Sequence, residues 1–322
     1  MKRLLGNKLV QYAIAAAIIA GALLCIFTPD MFILKRGADF TVQIMLIYLL
    51  LGMMFLLLNH SRLMFIALGA CGLLCLYLKS VSDQRIKFPS ENANPQISVA
   101  HINLSLSDDY TETMRTIWSA DVDVISFQEY TPDWHDYLTI ELDPRYPYRS
   151  CNTRIDPYGM AMYSKYPIEG VNNFSFEDIP NLHAQVSVNE ELTIHLISAH
   201  TTAPVNSAAY SVIREHFREL SDYVNELSGP VITLGDFNLP SWSSEVQEFK
   251  SFAGLSDSRR DIVPASLQGT ISLLKIPIDH IFYSKDIECT AFQVITAQSS
   301  THLGILGRYQ MKQFASLDVM RN

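Results

Sequence analysis

The chain has 322 residues, with 33 acidic against 24 basic side chains and a formal net charge of −9. Charged residues make up 18%, below the roughly 25% of an average soluble protein, and mean hydropathy is slightly positive at +0.12. This composition excludes a disordered chain, which needs low hydrophobicity, and five cysteines in this length exclude a disulfide-built scaffold. The apolar excess sits at the front. Leu9 to Phe27 and Phe40 to Asn59 carry no charge, and Leu63 to Leu78 lies uncharged between Arg62 and Lys79. Crossing about 30 Å of hydrocarbon takes roughly 20 residues at ~1.5 Å each, so the first two stretches qualify. The third is short, but Arg62 and Lys79 can extend their stems and hold their charges at the interfaces. Unbroken runs without a polar face argue against buried core helices. Two further apolar segments argue against a cleaved signal in residues 1–30. About three transmembrane helices are therefore predicted within residues 1–78.

Basic residues are nearly balanced across the predicted spans, and only the leading cluster Lys2, Arg3 and Lys8 tips the N-terminus inward. Three spans then place everything after Lys79 on the far side of the membrane, and two spans would reverse it. Residues 79–95 are polar and hold two prolines, which predicts a linker. Residues 96–322 are long enough for a substantial core. Ahead of Gln96 stand nine basic and four acidic side chains, which leaves this domain 15 basic and 29 acidic, net −14. A surface that negative disfavours strong non-specific nucleic-acid binding. Cys151 and Cys289 show no motif spacing, so neither a zinc site nor a disulfide framework is indicated.

Strands and helices alternate along the domain. Gln96–Leu104, Val122–Gln128, Leu192–Ala199, Val231–Leu234 and Ile278–Tyr283 are short and rich in β-branched residues, as strands should be. Asp108 or Asp109 can cap a helix in which Met114, Ile117 and Trp118 share a face. Tyr210, Ile213, Phe217, Leu220, Val224 and Leu227 form one stripe of a long amphipathic helix, ended by Ser228-Gly229-Pro230. Chemistry-bearing residues collect where strands stop: Asn103, Glu129, His200, Asp236 and Asn238, with Asp279 in a strand and His302 after the last apolar run. Each alone is ordinary turn chemistry. Together they are the types that bind a hard cation and transfer protons, and open sheets gather sites outside strand ends.

These motifs resemble the endonuclease/exonuclease/phosphatase superfamily, the group of deoxyribonuclease I, over roughly residues 97–311. They come in family order: Asn103, Gln128-Glu129, the Gly159–Ile168 segment, His200 with Pro204, Gly235-Asp236-Phe237-Asn238, Ile278-Asp279-His280 and Ser300-Thr301-His302. A bacterial, membrane-anchored subgroup is similar, which points to a multi-pass protein of the bacterial inner membrane with an extracytoplasmic domain. The resemblance implies an α/β fold, a four-layer α/β/β/α sandwich, and Mg²⁺- or Mn²⁺-dependent hydrolysis of a phosphate ester. It implies Glu129, helped by Asn103, as metal anchor and Asp236 as the group that orients or deprotonates water. Asn238 and His302 would contact the phosphate, Asp279 would hold the His302 ring, and His200 would be the general acid. The family pattern has Ser-Asp-His where this chain has Thr301, so the site loses a negative charge and should bind metal more weakly. Substrate stays open among a nucleic acid, a phospholipid head group (a sphingomyelinase-like activity), and no turnover at all, a membrane-tethered binding module.

Overall fold

A computed structural model describes residues 6–82, 87–107, 109–190, 192–260, 276–296 and 303–312. Four helices come first: α1 (Lys8–Ile26), α2 (Phe32–Asp39), α3 (Thr41–Leu57) and α4 (Ser61–Val81). α1 and α4 are long and apolar enough to cross a membrane, and α2 with α3 counts as one further candidate span bent by 67°. The third apolar stretch thus forms the longest of the four helices, 21 residues, while the second forms a helix of 17 residues. α2 differs in kind. Its sequence FILKRGAD is amphipathic, and it lies against the following domain rather than among the apolar helices.

The domain holds twelve strands and four helices among its described residues. In chain order they are β1 (Gln96–Asn103), α5 (Tyr110–Ala120), β2 (Val124–Gln128), α6 (Pro132–Leu142), β3 (Tyr148–Asn152), β4 (Met160–Ser164), β5 (Ile168–Phe176), β6 (Ile179–Asn189), β7 (Leu192–Ala199), α7 (Ser207–Glu226), β8 (Val231–Asp236), α8 (Ser244–Phe252), β9 (Ser256–Asp257), β10 (Asp279–Tyr283), β11 (Ile287–Ile295) and β12 (Gly304–Met311). They form two mixed six-stranded sheets, ordered β11-β12-β1-β2-β4-β3 and β5-β6-β7-β8-β10-β9. Strand alternation explains the layers. From β1, Val99 turns toward the second sheet, into a core with Val124, Met160, Leu196, Leu234 and Ile281. Ala100 and Ile102 turn outward, under Met114 and Ile117 of α5 and Trp134 and Leu138 of α6. On the second sheet, Ile197 and Phe282 turn outward beneath Ile213, Phe217 and Leu220 of α7 and Val246 and Phe249 of α8. Three apolar interlayers separate four layers, α/β/β/α, as expected.

The caps follow local chemistry. Asp109 accepts from the Glu112 amide at the start of α5, and Asn206 from the Ala209 amide at the start of α7. Lys79 to Val81 belong to α4 rather than to a linker, and Asn92 and Asn94 bond to β12 through Gln310 and Met311. All five cysteines are free.

Candidate active site

The connectivity sets the site. β1 and β2 are parallel, with Asn103 opposite Gln128, and α5 crosses between them. β7 and β8 are parallel too, joined by α7. Parallel strands end on the same side, so the carboxyl ends of β1 and β2 lie at one rim and those of β7 and β8 share a second. Gln128 joins the rims across the sheets. Buried completely, it donates from Nε2 to the Ala199 carbonyl at 2.8 Å and accepts at Oε1 from the Asp236 amide at 2.9 Å. Ser126 Oγ donates to Ser198 Oγ at 2.9 Å one layer deeper. β10 runs antiparallel to β8 with Asp279 directly opposite Asp236, so its first residue reaches the same place. Gly235, at φ +151°, makes this closeness possible: a Cβ there would stand 2.0 Å from the Ala199 carbonyl oxygen. Gly159 has the same function on the first sheet, where a Cβ would meet the Tyr130 carbonyl oxygen at 2.3 Å.

At this junction Asn103 Nδ2 donates to Glu129 Oε1 at 3.2 Å, and Ser105 Oγ donates to the same oxygen at 2.9 Å. Glu129 itself sits at φ +55°, a left-handed conformation that is strained for a glutamate and clusters at functional sites. Asn238, also at +55°, donates from Nδ2 to the Thr201 carbonyl at 2.8 Å, and its backbone amide donates to Asp236 Oδ1 at 2.9 Å. Burial pushes the Asp236 carboxyl well above its usual range, and the neighbouring Asp279 and Glu129 carboxylates push it further; hydrogen bonds from Asn238 and Asn103 oppose this. His200 is buried, its Nδ1 3.1 Å from the Pro157 carbonyl and its ring edge-on to Tyr158. A carbonyl only accepts, so Nδ1 carries the proton there. Burial pushes the His200 pKa down, while Glu129 and Asp279 pull it up.

Asn103, Glu129, His200, Asp236, Asn238 and Asp279 are thus brought together. Thr301 and His302 lie outside the described residues. His101 was not expected. It is fully buried between the sheets, with Nε2 3.4 Å from Asp279 Oδ1. Its signal in the sequence is its spacing, since a residue two before Asn103 on a strand faces the same way. Ser105 and Thr201, which fix Glu129 and Asn238, carried no recognisable signal.

Among the described residues no group of three or more His, Cys, Asp or Glu side chains is arranged to hold a metal ion. The donor chemistry nevertheless fits a hard divalent cation. Glu129 sets a carboxylate beside the Asn103 side-chain amide, and Glu129, Asp236 and Asp279 crowd like charges that a cation would relieve.

The sequence matches the Endonuclease/Exonuclease/phosphatase family over residues 102–302, and the chain belongs to that family, whose members hydrolyse phosphate esters. No curated protein matches it in sequence. The fold is similar to the endonuclease/exonuclease/phosphatase structure from Beutenbergia cavernae, at 14% identity and TM-score 0.54, covering 67% of this chain and 72% of that one. It is similar to D. rerio TDP2 complexed with single strand DNA product, at 18% identity and TM-score 0.54, covering 68% and 100%. Sphingomyelinase C from Streptomyces griseocarneus aligns at 15% identity and TM-score 0.50, covering 66% and 99%.

Proposed function

We propose that this chain is a divalent-metal-dependent hydrolase of phosphate esters, held at a membrane by residues 1–78 and acting through a domain spanning 96–322. The observation that carries it is the junction around Gln128, where one rim of each sheet delivers Glu129 and Asn103 against Asp236, Asn238 and Asp279. Glu129 with Asn103 would hold Mg²⁺ or Mn²⁺, which when bound neutralises phosphate charge and stabilises the leaving oxygen. Asp236, held by the Asn238 amide at 2.9 Å, orients a water and takes its proton as the water oxygen bonds to phosphorus. The ester P–O bond breaks, and the leaving oxygen takes a proton from His200, which serves only as imidazolium because its neutral form keeps its proton at Nδ1 on Pro157. Asn238 has a second amide hydrogen for a phosphate oxygen. By family resemblance His302 contacts the phosphate from the other side, and Thr301 leaves the ion with one charge fewer.

The domain's place relative to the membrane is supported by its contacts. Asp30, just after α1, pairs with Arg214 of α7 at 3.0 Å. Gln247 and Lys250 of α8 donate to the Val81 carbonyl at the end of α4. The C-terminal ends of α1 and α4 therefore both face the domain, so with both helices spanning, the chain between them crosses back and α3 is the third span. The N-terminus with Lys2 and Arg3 belongs on the opposite side, which favours an extracytoplasmic domain.

The test is hydrolysis of bis(p-nitrophenyl) phosphate by the full chain in detergent, with and without Mg²⁺ and chelator. Turnover that needs Mg²⁺ and disappears in Glu129→Gln supports the proposal. Silence under all conditions, or turnover indifferent to chelator, overturns it.

A further inference from the structure

A groove of about 530 Å³ opens beside the candidate site, and its walls come from both halves of the chain. Phe32, Arg36 and Phe40 form one side, from α2 and the residue that begins α3. Pro204, Val205, Ile278 and Asn238 also line it. Asn238 is two residues from Asp236, whose Oδ1 accepts the Asn238 amide. Ile276 belongs to the lining and also packs against the apolar cluster of α1, α3 and α4. The groove therefore shares Asn238 with the candidate site and Ile276 with the apolar cluster of the helices that would stand in the bilayer. Its lining is apolar except for Asn238 and Arg36, whose side chain is 40% exposed while Nη1 pairs with Asp39 at 2.7 Å.

The wall from α2 is fixed in place rather than loosely laid on. Lys35, 7% exposed, pairs with Glu245, 2% exposed, and with Asp30 at 2.9 Å. Tyr210 Oη donates to Asp39 at 3.3 Å, and Trp242 Nε1 donates to the Ala38 carbonyl at 3.1 Å. Buried charge pairs of this kind persist only in a fixed arrangement of both partners. A groove lined by apolar side chains, with the Arg36 cation, Asn238 of the candidate site and Ile276 of the helix cluster in its walls, matches one occupant. The geometry points to a phosphate-ester lipid, its head group at Asn238 and its hydrocarbon portion along Phe32, Phe40, Val205 and Ile278. This rests on the hydrolase proposal for the reaction itself and adds the substrate class and its route: from the membrane plane, along α2, to Asp236. A nucleic acid needs neither the apolar walls nor the continuity with the helices.

The experiment uses the full chain reconstituted in phosphatidylcholine and phosphatidylglycerol vesicles. Two substrates are compared, the vesicle phospholipid and soluble bis(p-nitrophenyl) phosphate, in wild type, Val205→Asp and the control Ile140→Asp, which alters an exposed position on α6. A charge in the groove is expected to lower the ratio of lipid to soluble-ester kcat/KM about tenfold, the size of a 1.4 kcal/mol loss of apolar contact. Ile140→Asp is expected to leave the ratio unchanged. Turnover of the soluble ester with no turnover of lipid, or an unaltered ratio in Val205→Asp, overturns the lipid route while leaving the hydrolase intact. So does hydrolysis of single-stranded DNA in preference to both. If neither ester is turned over, a phosphatidylcholine carrying a photoreactive acyl chain decides separately: cross-links mapped to residues 32–40 and 203–205, reduced in Val205→Asp, support the groove, and labelling confined to α1, α3 and α4 overturns it.

Discussion

Gln128 is the most consequential single residue in the domain, because one side chain ties both sheets and the backbone of Asp236. Gln128→Leu keeps the bulk and removes both polar ends. The Asp236 amide loses the acceptor it has at 2.9 Å, and the Ala199 carbonyl loses a donor at 2.8 Å. Each of the two buried groups left unpaired costs about 1–3 kcal/mol, and the added apolar burial returns about 1 kcal/mol, so a net loss of about 1–5 kcal/mol is expected. For a domain of this size 1 kcal/mol corresponds to about 2–4 °C, which places the melting temperature about 2–20 °C lower. The assay is tryptophan fluorescence against temperature for the full chain in detergent, followed by turnover of the soluble ester well below the transition. Activity should fall more than the folded fraction does, because Asp236 is no longer held. A melting temperature within about 2 °C of wild type would refute the claim that this bond joins the sheets.

Lys35→Met strands the Glu245 carboxylate, 2% exposed, without its cation. A loss of about 3–5 kcal/mol is expected, seen as earlier proteolysis between α2 and the domain. Gly235→Ala forces a Cβ to 2.0 Å from the Ala199 carbonyl oxygen at φ +151°. More than about 2 kcal/mol should be lost, and little folded protein should be recovered. Burial holds His183 and His216 at about 4 against 6.5 in the unfolded chain. Both are depressed bases, so stability is full above pH 6.5, falls as pH drops to about 4 and levels off below; His216→Gln should flatten part of that slope in a melting series. His200→Ala should lower kcat by about 10²–10⁴-fold if the ring protonates the leaving oxygen, and an unchanged kcat would remove it from the chemistry.

Much of the site was legible because strand ends are punctuated by residue type. Asn103, Glu129, His200 and Asp236 each follow a β-branched run, and the stripe on α7 marks a helix covering a sheet; the four-layer order came from the family resemblance, because β1 is buried on both faces and shows no alternation. The edge strands were harder. β5 is largely exposed and so has no apolar alternation to find. β9 has two residues, too few for any period. His101 escaped notice because a histidine in a strand is ordinary until the partner Asp279, 178 positions later, is placed opposite. Nothing local announces that Phe32-Ile-Leu-Lys-Arg-Gly-Ala-Asp39 leaves the apolar helices for the domain. Its partners Tyr210, Trp242 and Glu245 lie about two hundred residues away.

The clamp between α2 and α8 has a mechanical consequence. A soluble enzyme on a floppy leash sweeps a hemisphere and meets whatever floats inside it. With Lys35 locked onto Glu245 and the Val81 carbonyl gripped by Gln247 and Lys250, this domain is instead set at one altitude and one tilt above the plane its helices define. With residues 1–78 in a bilayer as proposed, its working radius would shrink to the molecules immediately beneath it, and lateral diffusion in two dimensions, rather than a swinging arm, would be the way it searches.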